Sequence, residues 1–553
     1  MRVAGVPGHT RVAEVVGDTL VRLGVRMAFG VVGSGNFLVT NALIHAGATF
    51  VAARHEAGAT TMADAWTRTT GGASVGVVTV HQGCGLTNAM TGLAEAAKSR
   101  TPLLVLAAQA TQPGSNFNVD QDGLAAAVGA SWVRIEDPAT VVADVVAAYR
   151  TACTGRRTVL VNLPLDVQEL PAEPAGTLPA VASRDPVAAG EAALTELVEL
   201  VEGAERPVFV AGRGARGGRE PLVRAARRSG ALLATSAVAN GLVAGDEADL
   251  GIVGGFASDL TAELVRGADL VVAWGCSLTM WSTRHGRLIA PDATVVQVLD
   301  EAAELGRHHR VDLGIVGDAA ATAGALAERL TGPAAGYRTP EVLARVAAAA
   351  HWWQVPVTDD TGTPERIDPR VLSIELDRIL PVERTVAIDS GNFMGYPSAY
   401  LRVPDEAGYC MTQSFQSVGL GLASAVGAAL ARPDRLCVAA VGDGGLLMAA
   451  AELETIARLG LPMLVVVYDD AAYGAEVHHF APGGADLSTV RFPDADLAAI
   501  ARGYGFDAAV VRSAADLSAV RDWLDAPGGR PMLVDAKVTV DRPSWWLEDA
   551  FGH

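Results

Sequence analysis

The stretch LCVAAVGDGG (Leu436–Gly445), with LPMLVVVYDDAAYG (Leu461–Gly474) after it, decides how this chain folds. Leu436–Val441 is a continuous apolar run, the pattern of a strand covered on both faces, and Gly442-Asp443-Gly444 turns its end into a helix. From about Gly445 to Arg458, Leu446, Ala449, Leu453 and Ile456 recur at helical spacing. Gly460-Leu461-Pro462 stops that helix, and Met463–Val467 supplies a second strand, which ends at Tyr468-Asp469-Asp470. Strand, helix and parallel strand make a right-handed unit whose two strand ends open on one crevice. Asp443 and Asp470 are therefore expected to converge.

Two carboxylates with backbone carbonyls nearby suit a hard divalent cation, and Mg²⁺ tends to complete its octahedron with phosphate oxygens. Gly444 and Gly445 let the backbone approach a phosphate, and the helix N-terminus adds amide hydrogens and a favourable dipole. Asp-Gly alone is a common turn pair. The second acidic pair, followed by Ala-Ala-Tyr473-Gly474, favours a metal–diphosphate site over a plain turn.

The same rhythm runs outward through the chain. Ser74–Val80, Leu103–Ala108 and Thr158–Asn162 are continuous apolar runs between Ala/Leu-rich helical stretches, which predicts parallel α/β architecture. Proline-rich stretches around Pro171–Pro186 and Thr331–Pro369 break the chain into blocks. We expect three parallel-sheet α/β domains, over residues 1–175, 188–332 and 366–553 of the 553. Half the residues are apolar and 19% charged, as in compact domains. A net charge of −19 argues against nucleic acid as a partner. The five cysteines lack CxxC spacing and read as free thiols of a reducing, cytoplasmic setting. No signal-type stretch opens the sequence and no apolar run is long enough for a membrane span.

Gly-Asp-Gly, an intervening helix and strand, then an Asn/Asp pair and Tyr-Gly resembles the thiamine diphosphate signature of the acetolactate synthase, pyruvate decarboxylase and benzoylformate decarboxylase superfamily. The resemblance implies Mg²⁺ ligation by Asp443, Asp470 and the carbonyl of Ala472, with Gly442, Gly444, Gly445, Tyr473 and Gly474 around the diphosphate. The family usually has Asn where this chain has Asp469 and Asp470, which alters charge more than geometry. Gly391-Asn392 is similar to the family's second diphosphate contact. Gln416-Ser417-Val418-Gly419 is similar to its aminopyrimidine segment, with Val418 as the wedge between the cofactor rings and Gln416 in place of a usual Gly.

A second signature lies near the other end. Arg54-His55-Glu56-Ala57-Gly58-Ala59, with Met62-Ala63-Asp64-Ala65-Trp66 on the same helix, resembles the family's glutamate segment. By itself Glu56 is an ordinary first-turn carboxylate. The resemblance makes it the group that bonds N1′ of the aminopyrimidine and promotes proton loss from thiazolium C2. His81 and Gln82, in His81-Gln82-Gly83-Cys84-Gly85, would face the substrate, although the family commonly has Gly-Pro-Gly there. Gln121 is similar to another pocket segment. His81 could equally be a structural histidine, and Cys84 simple packing.

Gly212-Arg213-Gly214-Ala215-Arg216-Gly217 fits GxGxxG behind a strand, but no acidic residue follows in Ala231–Val243 to bind a ribose. A glycine turn packing helix on sheet is the favoured reading, in keeping with a Rossmann-like middle domain. Acetolactate synthases carry an Arg-rich segment that meets FAD and the second substrate. Gly275–Trp281 stands in that place without either arginine, which counts against FAD and against the joining of two pyruvates. His479 aligns with that family's acceptor-pocket Trp and is a candidate acid–base residue or a surface histidine. The expected activity is an acetolactate-synthase-like carboligase or lyase acting on a 2-oxo acid or diketone through a C2-carbanion and enamine. The alternative is a 2-oxo acid decarboxylase releasing an aldehyde. A homodimer at least, or a homotetramer, follows from the family's split of each active centre between two subunits.

Overall fold

A computed structural model describes residues 10–72, 74–181, 186–526, 529–540 and 544–550. The reading of the N-terminus as free of a signal segment falls on residues 1–9, outside the described residues. The chain builds three six-stranded sheets in which each strand runs parallel to its neighbours. The first sheet contains β1 (Met27–Gly30), β2 (Thr49–Ala52), β3 (Gly76–Val80), β4 (Leu103–Gln109), β5 (Ser131–Arg134) and β6 (Thr158–Pro164). The middle sheet contains β7 (Pro207–Ala211), β8 (Leu232–Thr235), β9 (Asp249–Ile252), β10 (Leu270–Trp274), β11 (Thr294–Leu299) and β12 (Leu313–Val316). The third contains β13 (Arg384–Ile388), β14 (Tyr409–Met411), β15 (Leu436–Gly442), β16 (Met463–Asp469), β17 (Asp507–Val511) and β18 (Met532–Lys537). Three parallel α/β domains are thus present as the buried apolar runs predicted, since helices cover both faces of each sheet.

The outer sheets share one order, β2-β1-β3-β4-β6-β5 and β14-β13-β15-β16-β18-β17. The middle sheet runs β12-β11-β10-β7-β8-β9, the doubly wound order of dinucleotide-binding folds. Its Gly-rich loop makes a close backbone contact: a Cβ on Gly212 or Gly214 would come within 3 Å of Gly275. In the third sheet the chain leaves β13 toward β14 and returns to β15 on the other side. That switch point is where open α/β sheets bind ligands.

The helix after β15 departs from the sequence expectation. It is broken into Asp443–Met448 and Glu452–Leu459, with Ala449 turned out of helical geometry between them. Met448-Ala-Ala-Ala451 has high intrinsic helix propensity, so tertiary contact imposes the break. Leu446, Leu453 and Ile456 still reach the core. The stretch between residues 331 and 369 also carries a helix, Pro340–Ala349, whose Val346 joins the core of the middle sheet.

The outer domains share a core within one chain. Met62 and Ala65 of helix Glu56–Thr69 pack with Leu422 and Val426 of helix Gly421–Ala431. A Cβ on Gly427 would lie 2.1 Å from the carbonyl oxygen of Met62, so only glycine allows this approach.

Candidate active site

At the switch point, Asp389 follows β13, the Gln416–Gly419 turn follows β14 and Gly442-Asp443 ends β15, so three loops meet at the carboxyl edge of the sheet. The Asp389 carboxylate is fully buried and accepts the backbone N–H of Ser390, Gly419 and Leu420. It fixes the Ser390-Gly391-Asn392 turn relative to the Gln416–Gly419 turn. Burial outweighs these bonds and pushes the Asp389 carboxyl up to about 6. Gln416 takes a positive φ of 62°, and Val418 stands 39% exposed.

Asp443 opens helix Asp443–Met448 and is 8% exposed. Burial, with the charges of Asp470 and Asp469 added, holds its carboxyl far above the usual range. Burial also pushes up Asp470, with the charge of Asp469 adding to the effect. Carboxylates crowded in this way suit a divalent cation, which would reverse the cost of bringing them together. Asp470 Oδ1 accepts from Ala472 N at 3.2 Å. A Cβ on Gly474 would sit 2.2 Å from Asp470 Oδ2, and one on Gly445 2.3 Å from Asp389 Oδ2. The glycines therefore leave a cradle that side chains would fill, which fits a diphosphate held with Mg²⁺. Ser544 donates to Asn392 Oδ1 at 2.7 Å, which turns the Asn392 amide nitrogen toward Asp470.

Gly391, Asn392, Gln416, Val418, Gly442–Gly445, Asp470, Ala472, Tyr473 and Gly474 all border one cleft of about 1850 Å³. It continues past Met280 and Trp281 to Arg213 and Arg216 of the middle domain. Glu56, His81, Gln82 and Gln121 are not among its bordering residues.

Those four belong to the first domain. Glu56 is 8% exposed at the first position of its helix, and Asn88 Nδ2 donates to its Oε2 at 3.1 Å. The turn before it is clamped from the third domain of the same chain. Glu452 Oε1 accepts the backbone N–H of both Arg54 and His55 at 3.0 Å. The loop after β3 places His81 beside Glu56, since a Cβ on Gly85 would meet His81 at 3.0 Å and Glu56 Oε1 at 3.5 Å. His81 Nδ1 lies 3.0 Å from the carbonyl oxygen of Gln82, so Nδ1 carries the proton. His81 Nε2 lies 3.3 Å from Ser34 Oγ, and Phe117 packs edge-on against the ring. Gln82 is buried with its Oε1 unpartnered. Gln121 donates to Asn162 Oδ1 at 2.7 Å and leaves its own Oε1 unpartnered.

His479 lies on the exposed side of helix Gly474–Phe480, its ring edge-on to Phe480. The cleft is bordered from that helix by Ala475 and Glu476 instead. Sequence reading passed over Ser34, Asn88, Asp389, Glu452 and Glu476. A signal existed for Ser34, which stands in a Gly-Ser-Gly loop at a strand end. The others depend on contacts between distant segments.

The comparisons with known proteins agree with this division into domains. Residues 10–128 match the model of the thiamine pyrophosphate enzyme N-terminal TPP binding domain, 194–326 the central domain and 389–536 the C-terminal TPP binding domain. A sulfoacetaldehyde acetyltransferase of Castellaniella defragrans is 27% identical, over 96% of this chain and 92% of that protein. An acetolactate synthase of Bacillus subtilis is 27% identical over 96% and 93%. An acetolactate synthase large subunit of Parasynechococcus marenigrum is 29% identical over 84% and 77%.

Proposed function

The chain belongs to the thiamine pyrophosphate enzymes, in the superfamily of acetolactate synthase, and from that premise we propose a carboligase or lyase acting on a 2-oxo acid or diketone. When bound, thiamine diphosphate supplies the electron sink that lets a bond beside a carbonyl be made or broken. Asp443, Asp470 and the Ala472 carbonyl hold Mg²⁺ against the diphosphate, and Gly391, Asn392 and Gly442–Gly445 cradle it. Glu56 offers a carboxyl group to the aminopyrimidine nitrogen, held in place by Asn88 and by the Glu452 clamp. Val418 and Gln416 border the ring end of the same cleft.

The observation that carries this reading is the separation of two half-sites within one chain. The diphosphate residues share a cleft that Glu56 does not border. This supports a homodimer in which Glu56 of one subunit completes the cleft of the other. The middle-domain end of the cleft gives no support to FAD in particular.

A second reading, decarboxylation with release of an aldehyde, draws on His81, whose Nε2 lies 3.3 Å from Ser34 Oγ. It also draws on Glu476 at the edge of the cleft. Both are proton-carrying groups of the kind such a reaction needs.

Glu56→Gln should abolish turnover while Mg²⁺–thiamine diphosphate binding, read by fluorescence titration, persists. A variant with wild-type activity would sink the mechanism. Product NMR on a panel of 2-oxo acids, diketones and aldehydes separates hydroxyketone from free aldehyde, and so separates the two readings.

A further inference from the structure

We propose that Lys537 is a positioning residue of the diphosphate site, the counter-charge that allows an aspartate at position 469 to hold the metal-binding turn in shape. This rests on the thiamine diphosphate reading above. Asp469 closes β16 and Lys537 closes β18, and the two are register partners in the sheet. They are 1% and 3% exposed. The Lys537 ammonium donates to Asp469 Oδ2, to the Ala495 carbonyl at 2.8 Å and to Asp535 Oδ2 at 3.2 Å. All three of its donors are used.

The other oxygen of Asp469 serves the site. Oδ1 accepts Ala471 N at 2.9 Å and closes the turn in which Ala471 adopts a positive φ of 54°. That turn presents Asp470 and Ala472. One carboxylate thus links a buried cation on one side to the metal-binding loop on the other. An Asn at 469, the residue usual in the resembled family, would close the turn without a charge to balance. Asp469 brings a charge, and a buried charge persists only when paired. Without Lys537, Asp469 and Asp535 would add uncompensated charge to Asp443 and Asp470. Asp469 would then be drawn to the cation as a third anionic ligand, in competition with the diphosphate.

The test uses full-length protein, with thiamine diphosphate titrated at fixed Mg²⁺ and thermal unfolding followed in parallel. Lys537→Met should weaken cofactor binding about ten-fold or more. Adding Asp469→Asn to that variant should restore binding to within about three-fold of wild type, the remaining loss being that of Asp535, which still lacks its cation. Asp469→Asn alone should stay in that range, because Lys537 keeps Asp535 and the Ala495 carbonyl. If Lys537→Met unfolds while the double variant folds and binds, the proposal is supported. A double variant as weak as Lys537→Met, a Lys537→Met variant that binds normally, or failure of both to fold would overturn it. Wild-type protein that binds no Mg²⁺–thiamine diphosphate would overturn the functional reading itself, and this role with it.

Discussion

Glu452→Ala tests whether the third domain sets the position of Glu56. Glu452 is buried, and its Oε1 accepts two backbone N–H groups, from Arg54 and His55, while Oε2 accepts from Thr455 Oγ1. Removing the carboxylate orphans both backbone donors just ahead of Glu56. A bond to a charged acceptor is worth about 1.5–3 kcal/mol. Arg54 and His55 are exposed residues that water can reach, so we expect the low end of the sum, about 3 kcal/mol. Glu452→Gln keeps an acceptor oxygen and turns an NH₂ toward Thr455, whose hydroxyl can accept, so it should cost under about 1 kcal/mol. Gly58→Ala offers an independent route, since its Cβ would lie 2.5 Å from Glu452 Oε1 and push the carboxylate away. Urea unfolding of the cofactor-free protein gives the stabilities, and single-turnover rates at saturating cofactor report on Glu56. Glu452→Ala and Gly58→Ala should both slow turnover with diphosphate binding little changed. Equal losses for Glu452→Gln and Glu452→Ala would refute the acceptor role, as would an alanine variant as stable as wild type.

Asp443→Asn and Asp470→Asn should each weaken Mg²⁺–thiamine diphosphate binding by about ten-fold or more, and chelation should release cofactor from the wild type. Calorimetry with and without EDTA checks both. Asp389 predicts a pH effect of defined sign: its folded carboxyl sits near 6 against an ordinary 3.8. Its favourable contribution is complete below the lower value and lost as pH rises through the upper one. Relative to Asp389→Asn, the wild type should lose about 2.4 kcal/mol between pH 4 and 7, and a pH-independent difference in urea midpoints would contradict this. Ser34→Ala frees His81 Nε2 and should lower kcat with cofactor affinity unchanged, as steady-state kinetics and fluorescence titration will show.

The fold was legible because its strands are buried on both faces, and continuous apolar runs such as Met463–Val467 announce that burial directly. Asp443 and Asp470 were legible for a related reason. A parallel strand–helix–strand unit brings its two carboxyl ends together whatever the side chains between them. Contacts that cross from one sheet to another, or between strands paired out of chain order, leave no periodicity. Glu452 meets Arg54 across the shared core, and Lys537 meets Asp469 only because β18 lies beside β16 while β17 lies outside it.

The same limit explains the helix break. Local preference at Met448–Ala451 says helix, yet the chain breaks there, and the second helix opens on Glu452, the residue that clamps the Arg54–His55 turn. The contrast between His479 and Glu476 is a matter of distance along an axis. Residues in the first turn of helix Gly474–Phe480 stay near the strand end, and each later residue recedes by about 1.5 Å. Alignment places a residue in a segment, and only the axis of that segment says whether it reaches the cleft. At both ends of the chain the residues that bear chemistry sit at strand ends that pattern can locate. The residues that hold them in place are supplied by other strands and other domains. Substitutions at Glu452 and Lys537 therefore probe what the signatures alone do not encode: how firmly Glu56 and the Asp469–Ala472 turn are held in place.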